Sequence, residues 1–294
     1  MSAPAVVSAD AAAGYRRLRD GAPAWVAERV SLVWVEGPDA VSFLHGLLSN
    51  DVAGLAPGAS TEALLLDSKG HVQAAMGVHR DAEDALTLVL DPLVADRVVA
   101  SLERHHFSED LEILGPEDAA ALTLSGIAPP PGPSVPGPLP GTVRVVVDDA
   151  AVAGAALAGE PAPEESLEMA RVAAGMVRVG VDTGPSTLVQ EAALEDRAVS
   201  FEKGCYLGQE TVARLQFRGR ANRTLRGLAL DGPAEAGAVV VAGGREVGAL
   251  TSVATTPELG PIGLAILRRE VEPGAVVEVG GTTARVVGLP FGSQ

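Results

Sequence analysis

The last third of the sequence carries the pattern that most restricts the fold. After Arg226, short apolar runs recur at close intervals, and glycine-rich turns such as 242–244 and 279–281 separate them. Regular short strands with glycine turns are typical of a small antiparallel barrel or sandwich. We therefore expect a small all-β C-terminal domain, a barrel or a sandwich, over residues 228–294. Its predicted strands are 228–230, 238–241, 246–253, 262–267, 275–279 and 284–287.

The sequence before residue 228 mixes helix and strand patterns. Residues 39–49, 92–106 and 164–174 are predicted helices, and Asp39 is the expected N-cap of the first. Short apolar runs bounded by turn residues indicate strands between these helices. The mixture predicts an α+β fold. Its predicted strands are 30–35, 63–66, 72–78, 86–90, 111–114, 120–124 and 142–147.

The 294 residues are enough for two or three domains, because domains commonly hold roughly 100–200 residues. Seven prolines fall within 128–141, a composition that favours a stiff connector or an exposed loop. Structured sequence resumes at Thr142. We expect four parts: an N-terminal α+β module at 1–128, a Pro-rich linker or loop at 129–141, a middle α+β module at 142–227, and the all-β domain at 228–294.

Composition limits the function classes. The net charge of −16 argues against direct binding of nucleic acid or of an anionic membrane surface. No stretch approaches the roughly 20 apolar residues that a membrane span needs, and residues 1–10 lack the pattern of a signal peptide. The single cysteine excludes an internal disulfide, and the five histidines lack zinc-site spacing. We predict a cytoplasmic protein with no metal site.

Three scarce residue types meet in one short segment. The chain has 20 arginines but only two lysines, Lys69 and Lys203, and its only cysteine, Cys205, precedes one of its two tyrosines, Tyr206. A neighbouring cation or a helix N-terminus can lower the pKa of a thiol and make it reactive. Helical character begins at Gln209, so Cys205 lies just before a predicted helix. The spacing alone leaves two interpretations open, an activated thiol or a buried structural cysteine.

A run of arginines follows that segment. The run is compatible with an anion site, for the carboxylates of a small ligand or of an acidic partner, or with a solvated helix end and loop. An RNA site is disfavoured because Phe217 is the one aromatic residue available for stacking. The five residues are Arg214, Arg218, Arg220, Arg223 and Arg226.

The cysteine segment resembles a known family. Residues 203–210 are Lys-Gly-Cys-Tyr-Leu-Gly-Gln-Glu, followed by Val-Ala-Arg at 212–214 and Phe-Arg-Gly at 217–219. This pattern is similar to the characteristic motif of the YgfZ-type proteins, within the superfamily of the glycine-cleavage T protein. Weaker similarity covers most of the chain. It includes 35–39, 50–52, the turn at 68–70, the Gln-Glu pair at 190–191, and Arg171, Gly175, Gly180 and Asp182.

The resemblance implies three modules around a central pocket, with the C-terminal antiparallel barrel as the last module. It implies a reduced folate, tetrahydrofolate, as the cofactor bound by the N-terminal module. It also implies a role in assembling or repairing iron–sulfur enzymes, including ones that modify tRNA, with those enzymes or assembly proteins as partners. Cys205 and Lys203 are then the expected catalytic residues. The expected cofactor-binding residues are Asp51, Lys69, Glu191, Tyr206, Gln209, Glu210, Arg214 and Arg218.

Two departures from the superfamily bear on enzyme activity. The aminomethyltransferases of the superfamily have an acidic pair a few residues after the position that resembles Gly70. We take Gln73 and Ala74 to be the corresponding residues of this chain. Neither of these can transfer a proton. A glutamate that follows the position resembling Arg171 is replaced by Ala173. An accessory folate-binding role is therefore favoured, and a folate-dependent one-carbon transferase of the aminomethyl type is the alternative.

Overall fold

A computed structural model describes residues 7–292 of the chain; residues 1–6 and 293–294, at the outer ends of the first and last predicted modules, lie outside it. The helices are α1 (Ala9–Asp20), α2 (Ala40–Leu47), α3 (Ala95–His105), α4 (Ala150–Ala155), α5 (Glu164–Ala174), α6 (Glu195–Ala198) and α7 (Gln209–Arg218), with a 3₁₀ turn at Val189–Glu191.

The strands of the first sheet are β1 (Ala24–Glu36), β2 (Ser60–Leu66), β3 (Val72–Ala82), β4 (Ala85–Leu90), β5 (Glu112–Ser125), β6 (Ser134–Pro136), β7 (Val143–Val147) and β8 (Glu160–Pro161). Those of the second are β9 (Arg223–Leu230), β10 (Val239–Ala242), β11 (Arg245–Thr256), β12 (Gly260–Arg268), β13 (Val276–Val279) and β14 (Thr282–Val287).

The first sheet has the strand order β2-β3-β4-β1-β5-β7-β6, and β8 pairs with β1 in parallel. The long central strand β1 pairs antiparallel with both β4 and β5. One face of the sheet is covered by α2 and α3, whose apolar side chains bury a core that includes Leu44, Leu48 and Val98. The opposite side, which α5 approaches, is where the cavity described below lies.

The sheet curls until its two edge strands approach each other. Gly77 on β3 lies directly beneath Val135 on β6, so closely that even a Cβ atom at position 77 would collide with that side chain. Glycine at this position therefore permits the close approach of the strands. Val135 belongs to the Pro-rich segment, so part of the predicted linker or loop is a strand of this sheet.

The second sheet is a closed barrel with the order β10-β11-β12-β9-β14-β13. Its core is built from small aliphatic residues, including Leu228, Leu250, Val277 and Val286. The predicted α+β class is confirmed, and so is the C-terminal antiparallel barrel that the resemblance implies. The first barrel strand begins at Arg223, a little before the predicted boundary at 228.

Several local predictions differ from the structure. Asp39 precedes α2 but makes no capping bond there; its Oδ2 instead accepts a hydrogen bond from the Asp110 backbone N–H. The predicted strands 111–114 and 120–124 are one long strand, because β5 continues alongside β1.

No helix among residues 7–292 is long and apolar enough to cross a membrane. The cytoplasmic location stays a prediction.

Candidate functional site

A cavity of about 920 Å³ lies between the first sheet and α5. Part of its wall is apolar, with Ala75, Val89 and Leu167, and much of the rest is charged. Its volume is within the range of about 300–1,000 Å³ that is usual for small-molecule sites. Charged lining residues come from several separate elements: Glu28, Arg29, Glu62, Asp91, Arg144, Glu164, Glu165, Glu168, Arg171, Arg178 and Arg197.

Carboxylates and arginines are paired around this cavity. Arg197 Nε donates to Glu62 Oε2 at 2.6 Å, which ties α6 to strand β2. Arg178 Nε donates to Asp91 Oδ2 at 2.5 Å, and this carboxylate raises the pKa of the guanidinium above its usual value. The cavity wall thus carries positive and negative side chains, and these ion pairs fix their positions.

Arg171 is the centre of a buried network that joins α5 to the barrel. Its guanidinium donates to both carboxylate oxygens of Glu168, at 2.8 and 2.6 Å, and to Asp182 Oδ2 at 2.7 Å. It also donates to Ser252 Oγ on β11 at 2.6 Å, and Ser252 in turn donates to Asp182 Oδ1 at 2.7 Å. Arg171 and Asp182, two of the residues that carry the weaker similarity to the family, therefore hold the barrel against the cavity wall.

A second charged group lies at the other end of the wall. Arg144 Nη2 donates to Glu28 Oε2 at 2.7 Å, and Thr123 Oγ1 donates to Glu28 Oε1. The Nε of Arg144 is buried and has no hydrogen-bond partner within residues 7–292. A buried, unsatisfied donor costs free energy unless a ligand or water satisfies it.

Strand β3 presents no carboxylate to the cavity. Gln73 and Ala74 are not among the lining residues, and the Gln73 side chain instead donates to the His71 carbonyl. Ala74 is fully buried in the core on the far side of the sheet. The lining residues on β3 are Ala75, Met76 and Gly77, which also have no ionisable side chain.

The segment with the cysteine forms a second site, outside the cavity lining. Cys205 is a free, exposed thiol four residues before the start of α7. The chain leading to it is held by Ser49, whose Oγ donates to the Ala198 carbonyl at 2.6 Å. The Ser49 carbonyl accepts the Ser200 N–H at 3.0 Å. The exposed thiol is therefore carried on an anchored backbone.

Lys203 is the strongest of these anchors. Its ammonium points into the protein, where it donates to the carbonyls of His45 and Leu48 at the C-terminal end of α2, the latter at 2.6 Å. It also lies 5.1 Å from the centre of the Tyr206 ring, a cation–π contact. Burial lowers the pKa of Lys203 to about 8, although Asp51 opposes the shift. The polar contacts of this ammonium are thus with the fold rather than with the thiol.

A contact between two glycines connects this segment to the turn that contains the other lysine. Gly208, with φ of 81°, comes so close to Gly70, with φ of 83°, that a Cβ added at 208 would lie 3.0 Å from the Gly70 Cα. That Cβ would also clash with the Asp67 carbonyl. Lys69 is exposed in this turn, and its N–H donates to Asp67 Oδ1 at 2.8 Å. The structure therefore brings Lys69 into the neighbourhood of α7.

The remaining predicted site residues are dispersed around this segment. Asp51 lies beside His45 at 3.4 Å and caps the turn at Gly54, and Glu191 is buried, where it accepts the Leu188 N–H. Burial of Tyr206 raises the pKa of its phenol to about 12. The cofactor-binding role of the eight predicted residues stays a prediction, and none of the eight is among the residues that line the cavity. On α7 and its first turn, Gln209 is half-buried and three side chains are exposed: Glu210, Arg214 and Arg218.

Sequence reasoning missed the charged cavity residues. Glu62, Asp91, Arg178 and Arg197 belong to separate elements, and no short motif joins them. The pairing of strands and the packing of α5 bring these residues together. The sequence carried one signal for this cavity, the pair Arg171 and Asp182. These two residues lie next to Arg178, but they were identified only through the resemblance to the family.

Comparison with known proteins agrees with this architecture. Residues 223–291 match the glycine cleavage T-protein C-terminal barrel domain. The chain is 27% identical to the mitochondrial iron–sulfur cluster assembly factor IBA57 homolog of Chaetomium globosum, covering 92% of this chain and 79% of the relative. It is 27% identical to the tRNA-modifying protein YgfZ of Sodalis glossinidius, covering 68% and 69%.

A solved structure shows the same fold. The glycine cleavage system aminomethyltransferase T of Bartonella henselae superposes with a TM-score of 0.80 at 23% identity, covering 96% of this chain and 89% of that one. The chain thus has the fold of the glycine-cleavage T protein, with the matching barrel domain at residues 223–291 and a curled antiparallel sheet before it.

Proposed function

We propose that this protein is a folate-binding accessory factor for the assembly or repair of iron–sulfur enzymes, including tRNA-modifying ones, and that Cys205 is its reactive group. The observation that carries the proposal is the separation of two sites: a cavity lined by paired charges, and an exposed lone thiol on an anchored segment. The relatives named as iron–sulfur assembly and tRNA-modifying proteins support this role.

The cavity residues fit a reduced folate. Its apolar wall at Ala75, Val89 and Leu167 suits a flat heterocycle, and its carboxylates can accept hydrogen bonds from pterin N–H groups. The buried, unpaired Nε of Arg144 is a donor that a ligand oxygen could satisfy. When bound, a reduced folate supplies ring nitrogens that can carry a one-carbon group. Glu28 and Arg144 at one end, and Arg178 and Arg197 at the other, would orient it.

Cys205 supplies different chemistry. A thiolate is a soft ligand for iron and a good nucleophile, and the peptide dipoles at the start of α7 favour negative charge before the helix. One thiol does not complete the coordination of a cluster, which usually takes four protein ligands. Cys205 would therefore hold a cluster together with a partner's ligands. Lys203 would act as a positioning residue, since its ammonium fixes the backbone two residues before the thiol.

The alternative is a folate-dependent aminomethyl transferase, and the shared fold with an aminomethyltransferase favours it. Proton transfer would then need a carboxylate that is free to act. The cavity faces of β3 carry none, and Glu62, Asp91 and Glu168 are each bound to an arginine. Glu164 and Glu165 also line the cavity without an arginine partner within residues 7–292, but they are exposed on the first turn of α5. The paired carboxylates favour binding over proton transfer. Formation of methylenetetrahydrofolate with the other glycine-cleavage components would establish the transferase instead.

Separate variants test the separation of the two sites. Ala120 lines the cavity, and the Ala120→Trp substitution should weaken tetrahydrofolate binding by at least about tenfold in a calorimetric titration, because the indole fills the site. Ala151→Trp, at an exposed position outside the lining, is the matched control and should bind normally. Cys205→Ser should also bind normally, and Ala120→Trp should leave the alkylation rate of Cys205 unchanged. Unaltered binding by Ala120→Trp, or no binding by the unmodified protein at millimolar folate, would contradict the proposal.

A further inference from the structure

We propose that the exposed face of α7 with the loop that follows it is a docking surface for an acidic protein. We call this face the α7 surface; it consists of Arg214, Phe217, Arg218, Arg220 and Arg223. The proposal adds a partner-binding surface of stated chemistry beside Cys205, and it does not depend on folate binding or on iron–sulfur chemistry.

The first observation is charge. The chain has 38 acidic residues against 22 basic ones, yet no Asp or Glu occurs between Glu210 and Asp231. Arg214, Arg218, Arg220 and Arg223 are all exposed in this interval. The α7 surface is therefore a local positive patch on a strongly acidic protein, and it can attract a negatively charged surface by complementarity.

The second observation is that these guanidinium groups are free. Within residues 7–292, none of the four arginines of the α7 surface has an ion pair or a side-chain hydrogen bond. Elsewhere, arginines such as Arg29, Arg144 and Arg178 are bound to carboxylates. The protein has many carboxylates that could pair with four arginines, yet these arginines are unpaired within residues 7–292. Their N–H donors are therefore available to another molecule.

The third observation is an aromatic anchor. Phe217 is 70% exposed, and its ring is held edge to face against Phe201 with 5.8 Å between the ring centres. Arg214, Phe217 and Arg218 have the spacing i, i+3 and i+4, so they share one face of α7. Exposed aromatic residues and arginines are the types enriched among the residues that dominate protein interfaces.

These features favour a protein over a nucleic acid. A nucleic-acid strand carries charge along its whole length and would meet Glu202 and Glu210, which are exposed at the border of the patch. Phe217 is also the single exposed aromatic of the patch, whereas single-strand binding uses several for stacking. A partner with a compact group of carboxylates around an apolar pocket fits the small size of the patch and its central ring.

The test is fluorescence anisotropy with a labelled amphipathic peptide of about 15 residues that carries Glu at i, i+4 spacing beside Leu. The unmodified protein should bind it, and the double substitution R214E/R218E should weaken binding by at least about tenfold. R104E/R285E is the matched control, because both arginines are exposed, the net-charge change is equal, and Arg104 lies in the last turn of a helix as Arg218 does. That control should bind within about twofold of the unmodified protein.

Two further arms keep the proposal falsifiable. Phe217→Ser should weaken binding of the same peptide by several-fold, while a peptide with Ser in place of Leu should bind weakly to every variant. A single-stranded RNA of matched charge should bind more weakly than the peptide at the same salt concentration. Equal loss in both double variants, or RNA binding tighter than peptide binding and dependent on Arg214 and Arg218, would overturn the proposal.

Discussion

The cavity and the cysteine segment place their charged groups in opposite ways. Around the cavity, Arg171, Arg178 and Arg197 are each fixed on a carboxylate, and the arginine at the centre is buried. Around the cysteine, the thiol and the arginines of the α7 surface face solvent, and Lys203 alone turns inward, onto backbone carbonyls.

This difference indicates what each region is built to contact. The paired charges around the cavity define a fixed shape for a small ligand, and the Arg171 network stabilises the junction of α5 with the barrel. The arginines of the α7 surface have no carboxylate partner within residues 7–292, so they remain available to another molecule. The backbone of the cysteine segment is nevertheless tightly held, which fixes the position from which the thiol is presented.

The largest expected effect is on stability, in the buried network. Arg171→Ala leaves the buried Asp182 carboxylate without its guanidinium partner, and we expect a loss of about 3–5 kcal/mol in the free energy of unfolding. Urea denaturation of the two proteins measures it. Arg29→Ala breaks an exposed pair with Asp118 and should cost at most about 1 kcal/mol. Similar losses in the two variants would show that Arg171 does not hold the barrel in place.

A smaller loss is expected at the contact between the two glycines. Gly208→Ala adds a methyl group that meets the Asp67 carbonyl and Gly70, at a residue whose φ of 81° already disfavours a side chain, so we expect a loss of about 3 kcal/mol.

Gly58 is the matched control for this substitution. Its φ is 82°, but nothing lies within 4 Å of an added Cβ, so Gly58→Ala should cost only about 1 kcal/mol. The difference between the two alanine variants isolates the contact from the backbone strain. Equal losses would mean that the turn at 68–70 does not press against the start of α7.

The smallest expected effect is the pH dependence contributed by Lys203. Its pKa is about 8 in the folded protein and 10.5 as a free side chain, so the unfolded chain binds more protons between these values. The stability of the unmodified protein relative to Lys203→Met should therefore rise by on the order of 1 kcal/mol between about pH 7 and about pH 9.5. Denaturant midpoints across this range measure the difference. A difference that falls with pH would show that the carbonyl contacts raise the pKa of this ammonium.

Local patterns predicted the elements better than the contacts between them. The glycine-separated runs after Arg226 predicted the small all-β domain, because small antiparallel strands and their turns are defined by neighbouring residues. The Pro-rich segment was predicted to be a linker or loop, yet Val135 packs on Gly77 through a strand far along the chain. The curl that brings these strands together depends on distant pairing, which no local window contains.

The same distinction holds for the site. The cysteine segment was found because its scarce residues are adjacent in the sequence, and its position before α7 was predicted correctly. The inward direction of Lys203 depends on the carbonyls at the end of α2, more than 150 residues away, so the sequence could not show that its ammonium turns away from the thiol. The charged cavity wall comes from five or more elements and had no comparable local signal.

The most direct test of the central claim uses a strain whose iron–sulfur enzymes are inactive because it lacks this protein. The test compares how far Cys205→Ser and the unmodified protein restore that activity. The substitution removes an exposed sulfur and changes the side-chain volume little, so the free energy of unfolding should change by less than about 1 kcal/mol. We predict that Cys205→Ser melts normally, binds tetrahydrofolate normally and fails to restore iron–sulfur enzyme activity. Normal melting with full restoration of that activity would contradict the account.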